Sequence, residues 1–343
     1  MKKLIYIILL STTFWSCRNQ DVEFPDFDYN AVYFPVQYPV RTLSLGNDMV
    51  DNTLDKELTF KIGVSIGGMY ENKKDWTVKY VIDNALVSNL KNQTGDTLLV
   101  LPAKYIESIL PASDVIIPKG SFNGWITIKL KDEFLDDPIA VTNRYVLPLK
   151  IVESDADSIL RGLPLISNPD RTIAGNWDGN AKPRDFTLYG IKFINKVHGT
   201  YLHRGVDKVY DATNTLVSTS VFRKNFITLD QIVKLKSSGR NKVKSNSVGV
   251  TVSDDGLNGM FLSFDAQNNV TITPDSKLAL KPTGTGKFIE AANSTEIWGD
   301  RKRDALYLQY EYLDATNKKH VINDTLVFRD RGIVVELQNV TKF

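Results

Sequence analysis

Residues 58–66 read LTFKIGVSI, and this stretch identifies the fold class of the chain. Apolar side chains occupy every second position from Leu58 to Ile66, with Thr, Lys, Gly and Ser between them. A period of two predicts a strand with one buried face. The alternation recurs at 76–82, 126–130 and 145–151, with turn residues between the segments. Short strands separated by turns predict an all-β fold that begins with an immunoglobulin-like β-sandwich over residues 30–160.

The alternation resumes after a polar break. Residues 153–172 contain loop-forming sequence such as Asn168-Pro169, and we place a domain boundary there. Further strands are predicted at 186–194, 247–252, 260–264, 270–272, 306–312 and 325–328. Sequential hairpins with few helices are typical of an up-and-down barrel. Residues 170–343 are therefore expected to form a lipocalin-like β-barrel or a second β-sandwich.

Composition excludes several classes of protein. The 343 residues include 42 basic and 40 acidic side chains, a balance that argues against a nucleic-acid partner. A single cysteine excludes a disulfide framework and a cysteine-based zinc cage, and three histidines leave little for a histidine-rich metal site. Oxygen-rich turns at 132–137 and 253–259 do not fit the register of an EF-hand, so we expect ordinary turns, no metal and no cofactor.

The first residues predict an export signal. Residues 1–16 (MKKLIYIILLSTTFWS) combine two lysines with a short apolar segment, the layout of a signal peptide. The lone cysteine, Cys17, follows at the position where a lipoprotein signal is cleaved. Residues 14–16 resemble the relaxed lipobox of Bacteroidetes. We expect a lipid anchor on Cys17, a tether over residues 17–29, and a protein held on the outer membrane, facing outward, through that anchor only.

The first half also resembles a known family. The blocks 33–43, 62–72, 117–121 and 145–151 are similar to a domain of unknown function that begins many Bacteroidetes surface lipoproteins. In those proteins it precedes family 18 endo-β-N-acetylglucosaminidase domains or lectin-like domains. The resemblance covers residues 30–160. Here no Asp-x-x-Asp-x-Asp-x-Glu sequence follows it, so the hydrolase of those relatives is not expected.

The second half resembles the C-terminal domain that accompanies this module in non-catalytic lipoproteins. The matching blocks are 183–195, 198–205 and 324–332. Such proteins are encoded in polysaccharide utilisation loci beside SusC/SusD-like transporters, as SusE/SusF-like accessories. The resemblance implies a surface accessory that binds an oligosaccharide or polysaccharide next to such a transporter. It carries no known binding residues.

Aromatic rings are the candidate sugar-binding groups because their apolar faces can meet the C–H face of a pyranose. Trp298 lies in a charged loop sequence and is the strongest candidate. Trp125 begins a strand on its polar face, and Tyr307 alternates out of phase with the apolar residues beside it. These three side chains are expected to be exposed, whereas Trp76 alternates with apolar residues and is expected in the core.

Trp177 is a fourth glycan-binding candidate with a structural alternative. Gly175-Asn176-Trp177 is similar to the Gly-x-Trp signature of lipocalin-type barrels, in which a late arginine packs over the indole. Arg329 or Arg331 would then cover Trp177 by a cation–π contact, and the tryptophan would close the barrel end and bind nothing.

No spacing of residues selects a catalytic pair. With 40 acidic residues a carboxylate pair is always available, but none stands in a recognisable motif. No Gly-x-Ser-x-Gly sequence accompanies His198, His203 or His320. The sequence therefore favours a non-catalytic glycan-binding accessory. A structural or protein-interaction subunit and a cryptic glycoside hydrolase are the alternatives.

Overall fold

The computed structural model describes residues 27–48, 50–253 and 259–343. The predicted signal peptide and the lipid-anchor residue Cys17 lie outside these residues, as does most of the predicted tether. Within the described ranges, no helix has both the length and the apolar character needed to cross a membrane.

Strands dominate both halves of the chain, which confirms the all-β class. Those of the first half are β1 (Ala31–Tyr33), β2 (Pro39–Ser44), β3 (Thr59–Gly67), β4 (Trp76–Ile82), β5 (Leu90–Lys91), β6 (Leu99–Val100), β7 (Ile106–Leu110), β8 (Asp114–Ile117), β9 (Asn123–Leu130), β10 (Tyr145–Ser154), β11 (Ser158–Ile159) and β12 (Phe186–Ile194). A short helix, α1 (Thr53–Lys56), and 3-10 turns at Asn84–Val87, Ala103–Tyr105, Asp132–Asp136 and Ala174–Asn176 connect them.

The second half continues with β13 (Gly199–Tyr210), β14 (Leu216–Phe222), β15 (Gln231–Gly239), β16 (Lys242–Ser245), β17 (Ser247–Val248), β18 (Thr251–Val252), β19 (Met260–Phe264), β20 (Asn269–Pro274), β21 (Thr283–Ile289), β22 (Ile297–Trp298), β23 (Arg301–Lys302), β24 (Ala305–Leu313) and β25 (Lys319–Asp330). A 3-10 turn, Ile227–Leu229, follows β14. The last strands are β26 (Glu336–Leu337) and β27 (Thr341–Lys342).

The first half is a two-sheet sandwich. One sheet, which we call the front sheet, has the order β11-β1-β3-β9-β7, and the other has the order β26-β2-β12-β10-β4-β8. Alternate residues of β3 and β9, such as Phe60 and Ile126, point into the core with Leu149 of the facing sheet. Trp76 is buried in this core, as predicted, and its indole N–H donates to Asn72 Oδ1 at 2.8 Å.

The second half is a closed up-and-down barrel, so the barrel alternative describes it. Strands β13, β15, β16, β19, β20, β21, β24 and β25 pair in chain order, and β25 pairs back to β13. Closure leaves no edge within this circle of strands. Side chains fill the interior, and Tyr201, Leu262 and Leu306 among them are fully buried. Strand β14 extends from β13 outside the circle.

The second domain begins later than the predicted residue 170. Strand β12 pairs with β10 and, in parallel, with β2, so residues 186–194 belong to the sandwich. The barrel begins at Gly199. The alternation of β12 is the same as that of a barrel strand, and its partner β2 lies far away in sequence, so local pattern could not assign it. The C-terminal strands also return to the sandwich, where β26 pairs with β2 and β27 with β5.

Arg331 joins the two domains. Its guanidinium is buried and donates to the backbone oxygens of Lys196 at 2.5 Å, His198 at 2.6 Å and Asn47 at 3.0 Å. Asn47 follows β2 of the sandwich, whereas Lys196 and His198 lead into the barrel. The Arg331 guanidinium also lies 4.4 Å from the ring of Phe328, the aromatic residue near the end of β25.

We expect Arg331→Met to lower the free energy of unfolding by about 3–5 kcal/mol, because three carbonyl groups would lose a charged donor and the buried Asp304 carboxylate, 3.6 Å from the guanidinium, would lose its cation. Urea unfolding followed by tryptophan fluorescence measures this change. Arg329→Met is the matched control, since Arg329 is exposed and should shift stability by less than about 0.5 kcal/mol. Equal losses in the two variants would contradict the role of Arg331.

His198 makes the same junction sensitive to acid. Its Nδ1 accepts the backbone N–H of Ser237 at 3.0 Å. Burial, aided by the charge of Arg331, lowers the pKa of His198 to about 4 from 6.5. Between these values the unfolded chain binds a proton that the folded chain excludes.

The contribution of His198 to the free energy of unfolding should therefore be fully present above pH 6.5. It should fall by up to about 3 kcal/mol as the pH drops toward 4. Urea unfolding at a series of pH values measures the slope, and the imidazole resonances in NMR report the pKa directly. His198→Gln should flatten the slope in this window. A His198 pKa near 6.5 in the folded protein would contradict the expectation.

Candidate functional site

The solvent face of the front sheet carries a group of five aromatic rings, of which four are exposed and Tyr33 is half-buried. We define the aromatic face as Phe27, Tyr29, Tyr33, Tyr70 and Trp125, together with the bare strand positions between them. The residues before β1 supply the first two rings, β1 supplies Tyr33, the turn after β3 supplies Tyr70, and β9 supplies Trp125. Exposure of an aromatic group on this scale marks a binding surface more often than chance packing.

Two glycines of β3 shape this face. Gly63 pairs with Trp125 across the ladder, and a Cβ on Gly63 would lie 3.4 Å from the indole Cζ3. A Cβ on Gly67 would lie 3.6 Å from Tyr33 Cε1. Each ring therefore leans over a strand position that has no side chain. Positions 63 and 67 share a face of β3 and lie roughly 14 Å apart along the strand.

Polar groups lie between the rings. Ser65 occupies the same face of β3 between the two glycines, and its hydroxyl donates to Asn123 Oδ1 at 2.6 Å. Asn123 is exposed, so its amide nitrogen can donate to a ligand hydroxyl. Apolar rings on either side of an amide form the combination that recognises a sugar, which offers C–H faces and hydroxyl edges.

A groove of about 530 Å³ runs along the edge of the face. Its walls are formed by aromatic residues, by the β3 turn and by the segment after β11; the lining residues are Phe27, Asp28, Tyr29, Ala31, Tyr33, Gly67, Gly68, Leu160 and Arg184. The Arg184 guanidinium is exposed and donates to Pro35 O at 3.2 Å. The ring centroid of Tyr70 lies 5.5 Å from that of Phe27, one of the lining residues. The last residues of the predicted tether are thus already part of the folded domain.

Of the four predicted glycan-binding candidates, Trp125 alone lies on this face. Its side chain is 53% exposed. Trp298 and Tyr307 lie together on the outside of the barrel. The Trp298 indole N–H donates to Phe328 O at 2.8 Å, and Arg303 covers the ring at 4.0 Å. These contacts occupy both the donor and one face of Trp298.

Tyr307 is tied to the loop that carries Trp298. Its hydroxyl donates to Glu296 Oε1 at 3.0 Å. Burial raises the pKa of Tyr307, and the neighbouring Glu296 carboxylate adds to the effect. The side chain therefore fastens the loop before Trp298 to β24, and the barrel candidates present less aromatic surface than the aromatic face does.

Trp177 is buried and cannot present a face to a sugar, so this candidate is wrong. It lies in the segment before β12, where its N–H donates to Asp170 O at 2.7 Å. The arginine nearest its ring is Arg171, at 5.6 Å, so the expected cover by Arg329 or Arg331 is also wrong. Gly162, at φ +80°, leaves room for the indole, because a Cβ there would lie 2.9 Å from Cε3.

Three ionisable side chains lie together inside the barrel. His203 Nε2 lies 3.0 Å from Asp324 Oδ1, and the Tyr310 hydroxyl donates to Asp324 Oδ2 at 2.7 Å. Burial raises the pKa of Tyr310 well above its usual range. All three side chains are enclosed by the barrel core. No group of three or more potential metal-ligating side chains lies together in the ranges that the structure describes.

The comparisons with known proteins follow this division of the chain. The model of a domain of unknown function, DUF5627, matches residues 196–332, which is the barrel. The model of an N-terminal domain family matches residues 27–158, within the sandwich. No curated protein matches the chain.

Three solved structures of Bacteroides ovatus proteins of unknown function are similar. One, at 2.40 Å resolution, matches with TM-score 0.81 and 30% identity over 92% of this chain and 100% of that chain. The other two match with TM-scores of 0.41 and 0.42 at 14% and 15% identity. They cover 91% and 88% of this chain and 100% and 94% of their own.

Gly68 provides a test of how the groove is built. A Cβ on this residue, at φ +85°, would collide with the backbone oxygen of Tyr29, whereas Gly95, at φ +84°, has open space around it. We expect Gly95→Ala to cost about 1 kcal/mol from backbone strain alone, and Gly68→Ala to cost at least about 1 kcal/mol more. Thermal unfolding of both variants checks the difference, and equal costs would contradict the packing of Tyr29 on Gly68.

Proposed function

The chain belongs to the same family as that Bacteroides ovatus protein of known structure, and we propose that it is a non-catalytic glycan-binding accessory of a polysaccharide utilisation system. The observation that carries the proposal is the aromatic face, on which Trp125 and Tyr33 lie over glycines with a polar amide between them. Because these glycine positions lie roughly 14 Å apart along the strand, the two rings suit an oligosaccharide of several units rather than a single sugar.

The ring geometry supports stacking in particular. The indole of Trp125 lies against Gly63, which has no side chain to cover it, and Trp125 is 53% exposed, so its ring is available to meet a pyranose. Asn123 and Arg184 can donate hydrogen bonds to hydroxyl groups at the periphery. Because both rings are held by the sheet, little side-chain freedom is lost when a ligand binds.

Attachment to the outer membrane completes the proposal. Nine residues lie between Cys17 and Phe27, so the distance between these two is at most about 35 Å when the chain is extended. A lipid on Cys17 would hold the aromatic face within this distance of the membrane and beside a SusC/SusD-like transporter. The effective concentration of such an arrangement allows millimolar to micromolar affinity to suffice.

A glycoside hydrolase is the less favoured alternative. Hydrolysis requires two carboxyl groups about 5–10 Å apart on either side of the scissile bond. Among the described residues that line the groove, Asp28 is the single carboxylate. The binding role therefore accounts for the composition of this groove better than a hydrolytic one.

The test is affinity gel electrophoresis of the chain without its predicted signal and Cys17 against host and plant polysaccharides. We expect one class of glycan to retard the protein and chromatography of the same mixtures to show no cleavage. Trp125→Ala should weaken binding by roughly tenfold, since a lost stacking contact is worth about 1 kcal/mol or more. Trp298→Ala is the matched control and should leave binding unchanged.

A second variant tests stacking without removing the ring. Gly63→Val places a branched side chain against the indole of Trp125 and should weaken binding, while the strand keeps or gains stability. Loss of binding in Trp298→Ala but not in Trp125→Ala would contradict the assignment to the aromatic face. Absence of retardation by every glycan, or release of products, would contradict the proposed function itself.

A further inference from the structure

Strand β14 has a free edge. It pairs with β13 on one side, from Gly205 opposite Phe222 to Tyr210 opposite Leu216. It ends the order of the barrel sheet, and within the described residues no strand pairs with its other side. A free edge presents backbone N–H and C=O groups that can pair with a strand from another chain.

The strand is also exposed on both of its faces. Six of its seven residues are exposed, and three of these, Leu216, Val217 and Val221, are apolar. The turn that follows adds Phe226 and Leu229, both more than 60% exposed. A soluble protein usually shields such an edge with charges, a bulge or a covering loop. The only irregularity here is a register shift near Tyr210, which leaves the rest of the ladder regular.

The surroundings of this edge are basic. Three exposed basic side chains lie beside it: Lys208 on the neighbouring strand β13, and Arg223 and Lys224 directly after β14. The nearby carboxylates are already paired within the fold: Asp230 accepts from Arg204 Nε at 2.7 Å, and Asp207 lies 2.8 Å from His320 Nδ1.

The remaining carboxylate near the edge, that of Asp211, accepts hydrogen bonds from its own turn. Asp211 accepts the backbone N–H groups of Thr213 and Thr215, each at 2.9 Å. Lys208, Arg223 and Lys224 are exposed, whereas Asp207 and Asp211 are half-buried and Asp230 is buried against Arg204. The solvent-facing charge at the edge is therefore positive, and it favours a negatively charged partner.

We propose that the β14 edge binds an extended segment of an acidic partner protein by adding it as a further strand. Backbone pairing would supply the affinity, the apolar side chains would pack against alternate residues of the segment, and the basic side chains would select acidic ones. A second copy of this chain is the less suitable occupant, because pairing two β14 edges would bring their basic residues together.

The test uses two labelled heptapeptides, one of alternating valine and glutamate and one of alternating valine and lysine. Fluorescence anisotropy with the full soluble chain should show the glutamate peptide binding at least tenfold more tightly. Amide hydrogen exchange should slow in residues 216–222 when that peptide is present. Equal binding of both peptides, no binding, or protection of another strand would overturn the proposal.

Charge reversal makes the test specific. The double variant Lys208→Glu with Lys224→Glu should prefer the lysine peptide. The matched control, Lys119→Glu with Lys277→Glu, changes exposed lysines elsewhere and should keep the preference for the glutamate peptide. Val217→Lys with Val221→Lys should abolish the binding of either peptide. A concentration-dependent dimer, or β14 protection by phosphatidylglycerol vesicles instead of the peptide, would overturn the proposal in favour of the other occupants.

Discussion

The Arg331 guanidinium is the interaction on which the two-domain structure depends. It satisfies backbone oxygens from the end of β2 and from the connection between β12 and β13, and these belong to different domains. A Cβ at Gly46 would collide with it, so the loop after β2 can approach closely only because position 46 is glycine. Burial of a cation is costly unless its donors are used, and here they bind three carbonyl groups while the Asp304 carboxylate lies 3.6 Å away.

The same junction is supported from two other directions. Arg240, in the turn between β15 and β16, pairs with Asp132 at 2.6 Å and with Asp136 at 3.4 Å, both in the 3-10 turn after β9. The C-terminal segment after Arg331 returns to the sandwich, where Lys192 pairs with Glu336 at 2.6 Å. The sandwich therefore contains both the first and the last strands of the described chain, and the two proposed binding surfaces lie on separate domains.

Glycine residues shape the proposed glycan site as much as the aromatic residues do. Gly63 and Gly67 leave room for the rings of Trp125 and Tyr33, and Gly68 admits the backbone of Tyr29. Glycine normally weakens a strand because it adds no packing and loses more entropy on folding. Two glycines on one solvent face of β3 are consistent with a face that binds a ligand. Neither glycine has a side chain to cover the neighbouring ring, so the ring stays accessible to a ligand.

The alternation of residues 58–66 was sufficient to predict β3, and similar patterns predicted the sandwich strands and the all-β class, because strand formation depends on a local period of two. Trp125 was predicted from its place on the polar side of a strand. The sequence did not predict a binding role for Tyr33, Tyr29 or Phe27, because its pattern marks their segments as the start of the first strand or as a tether. Only pairing across β1, β3 and β9 brings them to one face. The assignment of β12 to the sandwich and the burial of Trp177 were likewise decided by contacts between residues far apart in sequence, which no local period records.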